Sequence, residues 1–112
     1  MLSLDHPQIA PVVEIKPPGD KYINRGDFLF MSCDVIAGYP SPSLEWKRLD
    51  GKPFSSRIQQ IVMVGGSPSV KLSIQGAELS DFGAYECIAK NSLGEVTSAI
   101  NVIQSIIFII LV

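Results

Sequence analysis

Few side chains in this 112-residue chain have the chemistry of a nucleophile, an acid–base group or a metal ligand. Two cysteines, Cys33 and Cys87, and one histidine, His6, make up the soft donors. That set is too small for a structural zinc site. The 11 acidic residues are scattered, with no cluster like a calcium loop. No Gly-x-Ser-x-Gly turn, His-Glu-x-x-His pair or phosphate loop occurs. Neither an enzyme nor a cofactor is therefore expected. What remains is sulfur chemistry. The two cysteines form one disulfide, which implies an oxidising compartment, or they stay as two thiols packed as small hydrophobes in a reducing one.

The segment that must position one of these sulfurs is Asp81-Phe82-Gly83-Ala84-Tyr85-Glu86-Cys87. Tyr85 and Cys87 are two apart, so on a strand they point to the same face. Cys33 lies 54 residues earlier, and the single tryptophan, Trp46, follows it by 13. Cys…Trp…Asp-x-Gly-x-Tyr-x-Cys in this order resembles the immunoglobulin domain, over roughly residues 10 to 103. The resemblance implies an all-β Greek-key sandwich of two antiparallel sheets. It implies a Cys33–Cys87 disulfide between the sheets, packed on Trp46, with Tyr85 at a tyrosine corner. It also implies a structural ion pair between Asp81 and Arg57 at the bottom of the sandwich.

The rest of the chain reads as the strands such a fold needs. Val12–Ile15 is an edge strand broken by Pro17-Pro18-Gly19, and Lys21–Ile23 is its continuation in the other sheet. A first strand split in this way is typical of the I-set of the immunoglobulin superfamily. Residues 28–36 form a strand in which Cys33, Leu29, Met31 and Val35 face inward and Phe28 and Phe30 face outward. Leu44–Arg48 alternates, with Leu44 and Trp46 inward. Asp50-Gly51 signals a hairpin leading to a short strand near Lys52-Pro53-Phe54. Further strands are expected at 57–64, at 70–74 with Val70, Leu72 and Ile74 buried, at 84–90 and at 95–103. Ala77–Ser80 makes a corner. Residues 1–9 read as a Pro-stiffened linker and 104–112 as an apolar tail.

Binding is the remaining function class. A net charge of −2 argues against nucleic acid. Arg25-Gly26-Asp27 matches a tripeptide that integrins recognise, but its composition is also that of a turn. Lys47, Arg48 and Lys52 form a small basic patch beside Glu45 and Asp50, read either as a contact for acidic polymers and lipids or as a solvated edge. Ile106–Val112 is seven apolar residues, short of the ~20 that span a bilayer. It either begins a membrane segment, attaching the longer chain, or extends the last strand. No secretory leader is visible, so the chain reads as a piece of a larger protein. No Asn-x-Ser/Thr sequon occurs.

The strongest binding feature is apolar. Phe28 and Phe30 point away from the core, and the strand at 57–64 holds Ile61-Val62-Met63-Val64, of which two face outward in either register. Phe28, Phe30, Ile61 and Met63 are the candidate partner-binding residues. The style of the Tyr39–Trp46 and Ala89–Glu95 segments is similar to lachesin/IgLON-type neural adhesion proteins and perlecan/hemicentin-type matrix chains. This implies an extracellular or cell-surface domain that binds a protein, homophilically, heterophilically or as a sister immunoglobulin domain. The alternatives are a structural spacer in a tandem array and a muscle-type intracellular scaffold domain.

Overall fold

A computed structural model describes residues 7–105. The tail at 106–112 and most of the expected linker lie outside those residues. Eight strands are present: β1 (Ile9–Lys16), β2 (Lys21–Ile23), β3 (Leu29–Tyr39), β4 (Ser43–Arg48), β5 (Ile58–Met63), β6 (Ser69–Ile74), β7 (Gly83–Asn91) and β8 (Gly94–Gln104). They form two four-stranded sheets, in the orders β1-β3-β6-β5 and β2-β8-β7-β4. A 3-10 turn, Leu79–Asp81, fills the corner before β7. The fold is all-β, as expected.

Proline splits the first strand. β1 runs antiparallel to β3 until Pro17-Pro18-Gly19, and β2 then pairs parallel with β8 in the opposite sheet. The Lys21 ammonium steadies this crossing by donating to the carbonyls of Pro17 and Gly19. Burial depresses its pKa, against the raising pull of Asp20. The period-two pattern of β3 buries Leu29, Met31, Cys33 and Val35 and exposes Phe30; Phe28, just before the strand, is exposed too. Cys33 and Cys87 are bonded between the sheets. Around them pack Trp46, Val70, Leu72 and Ile74, all nearly inaccessible. The Trp46 indole N–H donates to the Val70 carbonyl at 3.0 Å, so the ring is polar-satisfied inside the core.

Two expectations need correction. No strand forms at Lys52-Pro53-Phe54. The Lys52 amide turns back onto the Asp50 carboxylate at 2.9 Å, Pro53 has no N–H to offer a ladder, and Phe54 packs toward Tyr85 at 6.1 Å between ring centroids. Second, the strand at 57–64 exposes all four of Ile61, Val62, Met63 and Val64 rather than two. β5 is the edge of its sheet, and the facing sheet ends at β4, so nothing covers even its inward side beyond Ile58. At the ends of the sandwich, Ile9 belongs to β1, Gln104 to β8, and the Ser105 amide bonds the Ile23 carbonyl.

Candidate interaction surface

The polar end of the sandwich fixes the strands that carry the surface. Tyr85 donates its hydroxyl proton to the Asp81 carbonyl at 2.6 Å. The Asp81 side chain, almost fully buried, accepts from Arg57 Nε at 2.7 Å, Ser55 Oγ at 2.8 Å and the Glu78 amide at 2.9 Å. Burial alone would raise its pKa. The bonds from Arg57, Glu78 and Ser55 outweigh that and hold the carboxylate below its ordinary value of 3.8. Tyr85 is pushed up to about 12, chiefly by burial and against the pull of Arg48.

Arg48 belongs to this network, and the expected basic patch does not exist. Its side chain is 7% exposed. It donates to the Ser80 and Phe82 carbonyls at 2.5 and 3.2 Å, pairs with Asp50 at 3.0 Å and lies over the Tyr85 ring. The signal was present in the sequence: Leu44, Trp46 and Arg48 share one parity, so Arg48 follows two core residues inward. Gly83 is the residue this guanidinium passes. A Cβ there would stand 3.0 Å from Arg48 Nη2, at a φ of 142° that also favours glycine. Lys47 pairs with Glu45 at 3.5 Å, leaving Lys52 as the only member of the patch with neither burial nor an ion pair among the described residues.

Arg25-Gly26-Asp27 is a hydrogen-bonded turn. The Asp27 carboxylate accepts from the Asn24 amide at 2.8 Å, Arg25 bonds Glu78 at 2.7 Å, and the Gly26 amide donates to the Ala77 carbonyl. Both charged ends are engaged within the domain.

The outer face of the β1-β3-β6-β5 sheet brings Phe30, Ile61 and Met63 onto one side, and Phe28 immediately precedes β3. Phe30 lies opposite Ser73, which lies opposite Gln59; Ser32, Lys71 and Ile61 make the next row, and Asp34, Ser69 and Met63 the row after. Phe28 is 60% exposed, Phe30 47%, Ile61 57% and Met63 45%. The two pairs are not contiguous. Between them runs β6, with Ser69, Lys71 and Ser73 outward and the Lys71 ammonium 5.7 Å from the Phe30 ring centre; the Lys16–Asp34 ion pair joins β1 to β3, away from β5. Lys16, Ser32, Asp34 and Lys71 line a shallow depression of about 470 Å³. Its charges balance, so the face offers apolar contact rather than a steering field. Among the described residues no group of three metal-ligating side chains forms.

A hydrogen-bonding role invisible in the sequence belongs to Gln60. Its carboxamide reaches from β5 to the free edge of β4, accepting from the Trp46 amide at 2.9 Å and donating to the Trp46 carbonyl at 3.4 Å. It occupies the place of a missing neighbour strand. No local sequence cue marks it.

Two sheets, the Cys33–Cys87 bridge on Trp46 and the split first strand define the fold, and the immunoglobulin I-set domain model matches residues 11–103. The chain belongs to the immunoglobulin I-set family. It is 33% identical over 89 residues to mouse (Mus musculus) hemicentin-1, covering 80% of this chain and 2% of that protein. Against human (Homo sapiens) contactin-3 it is 35% identical over 88 residues, covering 79% and 8%. With Roundabout homolog 1 of Mus musculus the identity is 35% over 78 residues, covering 70% and 4%. The chain thus spans a small fraction of the length of these relatives. Among solved structures, Dpr2 Ig1-Ig2 in complex with DIP-Theta Ig1-Ig3 matches with a TM-score of 0.73 at 24% identity, over 88% of this chain and 33% of that one. The titin tandem A164-A165 matches with a TM-score of 0.64 at 27% identity, over 87% and 48%.

Proposed function

We propose that this I-set domain is an extracellular protein-binding module of an adhesion or matrix protein, and that the outer face of the β1-β3-β6-β5 sheet is its recognition surface. One observation carries the reading. Phe30 on β3 and Phe28 immediately before that strand are 47% and 60% exposed, where a merely solvated face has no use for aromatic rings. Burying what remains exposed of both contributes roughly 1.5–3 kcal/mol before association costs, a useful share of a contact. The inter-sheet disulfide supports an oxidising compartment. The similarity to hemicentin-1, contactin-3 and Roundabout homolog 1 supports the adhesion or matrix class.

A second reading, the spacer in a tandem array, has its own observation. The chain enters at Ile9, whose carbonyl is held by Asn91 in the β7–β8 turn, and leaves at Ser105 beside Ile23, at the far end of the 11-residue β8. Entry and exit at opposite poles suit end-to-end linkage. The Phe28→Ser, Phe30→Ser double variant separates the two readings. Both sites face solvent, so the melting temperature should change by only a few degrees. Cells should attach to the variant at least tenfold more weakly than to the parent. Equal attachment removes this face as the recognition surface and leaves the spacer.

A further inference from the structure

Each sheet of a sandwich has two edges, and an unguarded edge invites another strand. Three of the four edges here are guarded. β1 carries Pro11, Glu14 and Lys16 and ends at Pro17-Pro18. β2 is three residues long, directly after that proline pair. β4 carries Lys47 and Arg48 and is plugged at Trp46 by Gln60. β5 has no such device. From Ile58 to Ser67 there is no charge and no proline, and Ile61, Val62, Met63 and Val64 are all solvent-exposed.

The ladder shows which backbone groups are open. The Gln75 amide donates to the Arg57 carbonyl, so the hydrogen-bonded pairs of β5 with β6 fall on the odd-numbered residues. The peptide groups of Gln60 and Val62 therefore face the free edge, and β5 pairs there with no strand among the described residues. We propose that the occupant of this edge is β5 of a second copy of the chain, running antiparallel across a two-fold axis at Ile61.

The strand is compatible with itself. In this register Gln60 exchanges two hydrogen bonds with Val62 of the second copy, and the symmetry repeats the pair. Ile61 meets Ile61 on the outer face, and Gln59 meets Met63. No like charges oppose each other, the usual obstacle to a two-fold strand pair. The Gln60 side chain stays on Trp46, because only its backbone is used. Pairing joins two four-stranded sheets into one of eight strands, and it closes at two copies because the opposite edge of the sheet, β1, is guarded. The contact is one strand wide, so it belongs to the small, concentration-dependent class of interfaces.

This inference goes beyond the face reading, since backbone and β5 side chains make the contact rather than Phe28 and Phe30. Sedimentation of the full chain over about 10–500 µM should show mass rising toward the dimer, the range expected for a small interface. Amide exchange at Gln60 and Val62 should slow over the same range. Ile61→Lys puts two ammonium groups together at the axis and should hold the protein monomeric with an unchanged melting temperature. Phe28→Ser with Phe30→Ser should leave dimerisation intact. A protein monomeric throughout, a dimer untouched by Ile61→Lys, or concentration-independent exchange at Gln60 and Val62 overturns the proposal. If only the phenylalanine variant abolishes dimerisation, the outer face rather than the edge is the self-contact.

Discussion

Asp81 shows how a single carboxylate ties three segments. Its oxygens hold Arg57 and Ser55 from the β4–β5 connection and the amide of Glu78 from the corner, while its carbonyl takes the Tyr85 hydroxyl. Because its folded pKa lies below 3.8, the unfolded chain binds the proton more tightly. The stabilisation is therefore full above that ordinary value and is lost as pH falls through the depressed one. Tyr85 acts in the opposite direction at the alkaline end. With a folded pKa of about 12, its contribution is complete below 10 and is lost as pH rises toward 12. Replacing Asp81 with Asn should cost about 2 kcal/mol at pH 7, the worth of hydrogen bonds to a buried charge. At pH 3 the gap between variant and parent should narrow. Urea midpoints at the two pH values measure this, and an equal gap at both would show that the charge of Asp81 is not what the network uses.

At the scale of elements, the two edge strands β4 and β5 depend on one side chain. Without a neighbour strand, the Trp46 peptide group would face solvent at the edge; Gln60 satisfies both its N–H and its C=O. Gln60→Leu should cost about 1 kcal/mol, the usual net worth of such bonds. It should also speed exchange of the Trp46 amide while leaving the β7 amides protected. Unchanged exchange at Trp46 would mean that the amide is shielded by burial alone. Most strands were legible in the sequence, because their alternation is strict and their breaks are chemical: Pro17-Pro18 ends β1, and the parity of Cys33 assigns the side chains of β3 from Leu29 to Ile36. What was not legible depends on what lies across from a residue. The Lys52–Phe54 strand was expected from Asp50-Gly51, but the Asp50 carboxylate captured the Lys52 amide and Phe54 found a place beside Tyr85. Arg48 looked like surface charge until its parity is read together with Trp46. Val62 was expected to be half of an alternating pattern, but no strand of the facing sheet reaches it. Gln60 is legible only once β4 and β5 are seen to be neighbours. For the binding surface, alternation turns Phe28 and Phe30 outward, but only the fold reveals the Lys16–Asp34 pair that joins β1 to β3 beside Phe30.

At the scale of the whole molecule, the Cys33–Cys87 bond cross-links the two sheets through side chains, and it separates the extracellular reading from the intracellular one. Both sulfurs are fully buried against Trp46. A core this apolar can hold two thiols as well as a disulfide, so the packing is neutral between the two states. The difference lies in the unfolded chain. Closing a loop of 54 residues removes conformational entropy worth about 4 kcal/mol in the chain-entropy model. That is a large part of the ~5–15 kcal/mol by which a domain is stable. For a domain of about this size each kcal/mol moves the melting temperature by roughly 4–8 °C, so loss of the bond should lower it by about 20 °C. Cys33→Ala with Cys87→Ala gives the same test without a reductant, at the cost of two small cavities. Protein secreted by cells and alkylated without reduction should carry no label, and the reduced form should melt well below it. Labelling at both cysteines in freshly secreted material, or a reduced form that melts within a few degrees of the oxidised one, would mean that the sandwich is built to stand on its packing alone, as a domain in a reducing compartment must.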